Sequence, residues 1–228
     1  MLGSPSIRIC SKSGVDSYVS LEELAEMIGF TYTAHLMFLC DSDIRSMHMW
    51  ERSPSWQCAS ALAASLRDAA SRCQPHSRLC VRYVSDFMGY GLFADALVPA
   101  GCLICEYTGV VKTRPSFSAY AVSGLLRKFI SARQACCYAY VRSPLLPQVM
   151  YPGPSGPDSG EIDAAEFGSV ARLINHSARP NCIFKRVLLG GLMRVLCCTS
   201  QAVAEGEELT LNYGSSYWRT REGCLKPE

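Results

Sequence analysis

The residues best suited to chemistry in this chain are a pair of glycines, an Asn-His pair and a set of tyrosines. Gly89 and Gly91 bracket Tyr90; without a Cβ, either glycine lets the backbone turn tightly and approach a ligand closely, though an ordinary β-turn would use them in the same way. Asn175 and His176 can each donate and accept, so they can satisfy a buried crossing of two chain segments. His176 is read as a hydrogen-bonded structural histidine rather than a general base, and His35 and His48, set among apolar or mixed residues, as structural. Tyr107, Tyr138, Tyr140 and Tyr213 offer an apolar body, a π face for a cation and a hydroxyl that can align a nitrogen. Thirteen cysteines include the adjacent pairs Cys136–Cys137 and Cys197–Cys198, and Cys102-x-x-Cys105 has no second well-spaced pair to complete a metal site. They are expected to be reduced and mostly buried thiols.

The elements that must position these groups fall into three stretches. Residues 1–78 read as a helical accessory or dimerising segment. A capping box, Ser20 followed by Glu23, opens a helix carrying Leu21, Leu24, Ala25 and Ile28 that stops at Gly29. A second run, Trp56 to Cys73, sets Ala59, Leu62, Ala63 and Leu66 on one face, with Arg67 and Arg72 read as solvated. From Leu79 the texture changes to short β-branched, aromatic and aliphatic runs, the clearest being Leu79–Tyr83, Gly91–Ala94, Leu103–Tyr107 and Arg194–Cys198. Within an insert of about 112–160, Leu125, Leu126, Phe129 and Ile130 suggest a helix, and Pro144–Gly160, rich in Pro, Gly and Ser, predicts a surface loop. Residues 219–228 form a short tail.

Composition narrows the classes. A chain of 228 residues holds one ordinary domain plus an appendage. An apolar fraction of 49% with 18% charged residues describes a globular protein, and a net charge of +2 with no clustered Lys/Arg run argues against direct nucleic-acid binding. The longest apolar candidate, Ala96–Val111, is interrupted by Pro99, Glu106 and Gly109, so no membrane span is expected. Residues 1–10 lack an apolar run with a cleavage site, so no Sec-type export is expected and the protein is placed inside a cell.

Four motifs occur in a fixed order: Gly89-Tyr90-Gly91; Glu106-Tyr107-Thr108-Gly109; Gly168 through Arg172-Leu173-Ile174-Asn175-His176-Ser177 and on to Pro180-Asn181; and Gly206-Glu207-Glu208-Leu209-Thr210-Leu211-Asn212-Tyr213-Gly214. Together they resemble the SET domain over residues 79–218. The resemblance implies a mainly β fold of small twisted sheets with a pseudoknot-like C-terminal crossing, and a protein-lysine N-methyltransferase of the histone type that uses S-adenosyl-L-methionine (AdoMet). Tyr213 and Tyr107 match active-site tyrosines. Gly89, Tyr90, Gly91, Arg172, Asn175 and His176 match cofactor-binding positions. Tyr138 and Tyr140 match an edge strand that pairs with the substrate peptide, although the pattern also fits Cys136-x-Tyr138. The substrate class it implies is a lysine-bearing basic protein, histone or histone-like. The helical N-terminal piece and the ending Tyr213-Gly214-Ser215-Ser216-Tyr217-Trp218 are similar to those of small chlamydial SET proteins, which implies delivery into a host cell and action at the nucleus. A homodimer through the N-terminal segment accompanies this reading, and the alternative carried beside it is a catalytically silent SET module that binds a protein partner.

Two departures from the family pattern bear on the site. Ala178 stands where many nuclear members have a cysteine, and beyond Tyr213 only Cys224 follows, so no post-SET zinc is expected. Tyr217 and Trp218 are then the candidates to close the channel and stack on adenine. Asn212 replaces a usual Asp, and Ser169 an Asn, small polar changes compatible with binding.

Overall fold

The computed structural model describes residues 6–38, 78–113, 149–153, 156–189 and 192–214. It is organised as several small sheets around one apolar cluster. Strands β1 (Ser6–Cys10) and β2 (Asp16–Ser20) form a hairpin whose turn uses Gly14 at φ 78°. Ser20 then caps helix α1 (Leu21–Ile28): its side chain accepts from the Glu23 N–H at 3.1 Å, and the Glu23 carboxylate accepts from the Ser20 N–H at 2.8 Å. The helix ends at Gly29, whose left-handed backbone (φ 94°) a side chain would strain. Leu21, Leu24 and Ala25 are buried, so α1 lies with its apolar face on the core.

The expectation of a helical appendage at the N-terminus is corrected by these residues. Alternation in Ser6-Ile7-Arg8-Ile9-Cys10 has the period of a strand, and Ile7 and Ile9 are buried. β1 is inserted between β2 and the later strand β5 (Leu79–Ser85), to which it pairs in parallel, and β5 continues to β6 (Gly89–Ala94). The two-residue strands β3 (Thr31–Tyr32) and β4 (Met37–Phe38) join two further sheets. Only α1 is helical between residues 6 and 38, and that stretch is laced into the domain rather than appended to it. The run Trp56–Cys73 lies outside the described residues, as does the expected helix around residues 125–130.

After β6 come β7 (Leu103–Glu106) and β8 (Val110–Thr113), then β9 (Val149–Gly153) and β10 (Gly156–Asp163). Within the surface loop expected over 144–160, residues 149–153 and 156–160 are instead strands of a sheet ordered β4-β8-β10-β9. Proline is accommodated there because β9, which carries Pro152, is an edge strand. Pro157 of β10 falls where the β9–β10 register shifts, between Gly156 and Gly160. Gly109, just before β8, has no room for a side chain, since a Cβ would sit 2.4 Å from the Asp163 carbonyl oxygen.

The remaining elements frame the site. β11 (Phe167–Gly168) pairs with β3, and a 3-10 turn covers Val170–Leu173. β12 (Asn175–His176) lies parallel to β15 (Thr210–Leu211). Between them in sequence, β13 (Cys182–Leu189) and β14 (Leu192–Thr199) form a hairpin that also holds β7. The last segment therefore returns across the chain that precedes the hairpin, which is the pseudoknot-like crossing. The expected strands near Leu79, Gly91, Leu103 and Arg194 are all present, most of them longer than the sequence pattern marked.

Candidate active site

Asn175 and His176 are set by the parallel pairing of β12 with β15, Asn175 opposite Thr210 and His176 opposite Leu211. That pairing is short, and Asn181 reinforces it. Its side-chain N–H donates to the Glu208 carbonyl at 2.8 Å and to the Glu207 carboxylate at 3.0 Å, while its oxygen accepts from the Thr210 N–H at 2.8 Å. One buried amide thus satisfies backbone on both sides of Leu209. On the other flank, Leu209 N–H donates to the Leu92 carbonyl at 2.8 Å, and Phe93 bridges Glu208, which fastens the Glu207-Glu208-Leu209 segment to β6.

This segment brings a carboxylate against the glycine loop. Asn175 Nδ2 donates to Glu208 Oε1 at 2.6 Å, and a Cβ on Gly91 would lie 2.4 Å from that same oxygen. A Cβ at position 91 would therefore push the Glu208 carboxylate off its bond with Asn175, whereas Gly89 is favoured by its own φ of 72°. Tyr90, between them, is half-buried and meets Tyr83 edge-on at 5.6 Å. Burial pushes the Glu208 carboxyl up, and the bond from Asn175 opposes this in part.

Tyr213 follows directly. Its N–H donates to His176 Nδ1 at 3.1 Å, the two rings lie 5.4 Å apart, and its hydroxyl donates to the Ile174 carbonyl at 2.7 Å. A carbonyl can only accept, so the phenolic proton is committed to it and toward any further group the Tyr213 oxygen can act only as an acceptor. Because His176 accepts at Nδ1, its neutral form carries its proton on Nε2. Tyr107 is 1% exposed, meets Phe184 edge-on at 5.4 Å and donates its N–H to the Val195 carbonyl at 2.7 Å. Tyr107 and Tyr213 belong to the same buried cluster. Beside Tyr107, Ser169 Oγ donates to the Glu106 carbonyl, and the Glu106 carboxylate forms a two-pronged pair with Arg194.

The structure thus brings Gly91, Asn175, His176 and Tyr213 into one line of contacts. Arg172 donates to the carbonyls of Ala164 at 2.9 Å and Ala165 at 3.2 Å and stacks over Phe30 at 4.1 Å, linking the 3-10 turn to the segment that follows the Gly29 cap of α1. Tyr138, Tyr140, Tyr217 and Trp218 lie outside the described residues. Sequence reasoning passed over Glu208 and Asn181, although both stand within its motifs; what singles them out is the placement of polar side chains against a buried crossing.

The SET-domain family profile matches residues 89–214, more than half of the chain, and the chain belongs to the SET-domain family. The fold agrees: a crystal structure of ATXR5 in complex with histone H3.1 mono-methylated on R26 superposes with a TM-score of 0.53 over 86% of each chain, at 19% identity. Among curated proteins, the chain is similar to a histone-lysine N-methyltransferase, H3 lysine-36 specific, of Cryptococcus neoformans, at 31% identity over 55% of this chain and 13% of that protein. It is also similar to histone-lysine N-methyltransferase ash1 of Drosophila melanogaster, at 29% identity over 64% of this chain and 6% of that one. The chain thus spans only a small part of the length of these relatives. AdoMet is the cofactor of SET-domain methyltransferases. The residues present fit it: Asn175 is 5% exposed and no protein donor meets its Oδ1 among the described residues, which leaves a buried acceptor beside the glycine loop for a cationic ligand.

Proposed function

We propose that the chain is an AdoMet-dependent protein-lysine N-methyltransferase acting on a histone or histone-like basic protein. The observation that carries this reading is the line of contacts from Gly91 through Glu208, Asn175 and His176 to Tyr213, ending on a tyrosine oxygen whose proton is already committed. When bound, AdoMet supplies a methyl group on a positively charged sulfonium. The chain's own residues would then do three things. The glycine loop and Asn175 hold the cofactor, with the Asn175 oxygen as acceptor. Tyr213 accepts from the incoming amine and aligns it, because its hydroxyl proton is given to Ile174 and toward a further group the oxygen can only accept. The apolar surroundings, with Tyr107 buried among them, exclude water and disfavour a charged lysine, whose ordinary pKa of about 10.4 leaves few neutral amines at pH 7. No strong base is required.

The substrate class is supported by the histone-lysine methyltransferases the chain resembles and by the histone peptide in the ATXR5 complex. The finer placement among chlamydial-type SET proteins, with delivery into a host cell and action at the nucleus, is supported by the Tyr213-Gly214-x-x-Tyr217-Trp218 ending and by Ala178 in place of a zinc-ligand cysteine. A homodimer remains part of the proposal, tested by light scattering.

The deciding experiment is transfer of labelled methyl from AdoMet to purified histones and bacterial histone-like proteins, with wild type beside Tyr213→Phe. Label on lysine, reduced on the order of a hundredfold or more by the substitution, is expected, because loss of the aligning oxygen leaves the amine unpositioned. Absence of transfer together with absence of AdoMet binding by calorimetry would overturn the reading.

A further inference from the structure

Glu208 places a carboxylate in the middle of the site. Burial raises the free energy of its charged form, and no lysine or arginine pairs with it among the described residues. Its surroundings are shaped for it all the same. Gly91 is the residue that leaves space for Oε1, and Asn181 and Leu209 fix its backbone from either side, at 2.8 Å each. A costly group held this firmly has to be worth its cost in what it does to Asn175.

A primary amide has two ends of similar shape, one donating and one accepting, and can present either to a neighbour that both donates and accepts. An ionised carboxylate only accepts. Facing Glu208, the Asn175 side chain must therefore turn Nδ2 inward, as observed at 2.6 Å, and its Oδ1 is left as the buried acceptor with no protein donor. A glutamine at 208 would bond Asn175 in either orientation and would leave the exposed end of the amide undecided. We propose that Glu208 is a positioning residue: through its bond to Asn175 it locks the amide with Oδ1 outward, as the acceptor for the ammonium at the amino-acid end of AdoMet. This rests on the AdoMet reading above. The negative charge of Glu208 behind the amide favours the same cationic end.

The test compares two ligands by calorimetry on wild type, Glu208→Gln and Glu208→Ala. One is AdoMet; the other is 5′-methylthioadenosine, which shares the adenosine but lacks the amino-acid end. Glu208→Ala is expected to weaken AdoMet on the order of tenfold, the loss typical of one hydrogen bond to a charged partner, and Glu208→Gln to weaken it by an intermediate factor. Affinity for methylthioadenosine stays within about twofold, since that ligand has no group for Asn175 to meet. In steady-state assays the AdoMet KM should rise while kcat at saturating AdoMet stays within about threefold, because uniform binding is what is lost. Parallel weakening of both ligands would mean that the pocket has collapsed, and overturns the proposal. Unchanged AdoMet affinity in Glu208→Gln and Glu208→Ala also overturns it, and Glu208→Gln alone decides if Glu208→Ala does not fold. Failure of the wild type to bind AdoMet overturns the AdoMet reading itself, and this proposal with it.

Discussion

Asn181→Ala removes a side chain that is 3% exposed and hydrogen-bonds the Glu207 carboxylate, the Glu208 carbonyl, the Thr210 N–H and, at 3.5 Å, the Thr210 hydroxyl. The bond to the Glu207 carboxylate is at the surface and contributes little. The bonds to the Glu208 carbonyl and the Thr210 N–H are different, for truncation leaves two partly buried backbone groups without partners, at roughly 1–3 kcal/mol each. About 3 kcal/mol is then the expected loss, a large share of the ~5–15 kcal/mol that holds a domain folded. For a chain of this length it corresponds to a fall in Tm of about 6–12 °C. Urea unfolding should show a lower midpoint with an unchanged slope, since the surface exposed on unfolding is the same. The companion variant Asn181→Asp sharpens the argument. It keeps the acceptor for Thr210 but turns the donor into an oxygen facing a carbonyl at 2.8 Å and a carboxylate at 3.0 Å, so at neutral pH it should be at least as unstable as Asn181→Ala. A midpoint for Asn181→Ala within error of wild type, or Asn181→Asp clearly more stable than Asn181→Ala, would refute the view that this amide clamps the crossing.

Gly109→Ala should destabilise by about 1–3 kcal/mol or more, read as a lowered Tm, because its Cβ would meet the backbone oxygen of Asp163 at 2.4 Å and force β8 and β10 apart. Glu208→Gln should behave oppositely in stability and in function. The folded-state pKa of Glu208 lies above its ordinary value because burial disfavours the charge. The stability it contributes is therefore fully present below the ordinary glutamate range, near pH 4, and is lost as pH rises through the raised value. Glu208→Gln should accordingly match or exceed wild-type Tm at pH 7.5, with the gap closing as pH falls, and a gap that widens toward acid would count against the sign. Cys105 is pushed well up by burial, and Cys197 by its bond with Cys182 and by burial, so both stay protonated. Native-state alkylation at pH 8 followed by mass spectrometry should leave both unlabelled, with full labelling only after denaturation.

Much of the fold was legible from local pattern. Leu79–Ser85 and Leu192–Thr199 announce themselves through runs of β-formers, and α1 through the Ser20–Glu23 box and Gly29, because the forces that set those elements act over a few residues. Ser6–Cys10 was misread despite its alternation, since five residues carry little signal and the partner that makes them a strand, β5, lies some seventy residues away in sequence. β9 and β10 were hidden by Pro and Gly, which an edge position and a register shift absorb only once the sheet exists.

The chemistry divides in the same way. Motif order alone pointed to the family, and through that resemblance it singled out the glycine loop, Asn175, His176 and the two tyrosines as candidates. What the individual residues do was decided by the crossing of β12 and β15. That crossing turns His176 Nδ1 to the Tyr213 N–H and the Tyr213 proton to Ile174. It also sets the Glu208 carboxylate where a Cβ at position 91 would collide with it. A hydrogen bond has direction, and its direction depends on which partner arrives from a distant part of the chain. The amino-acid sequence determined which groups were present, and tertiary structure decided which of their lone pairs and protons remained to be used.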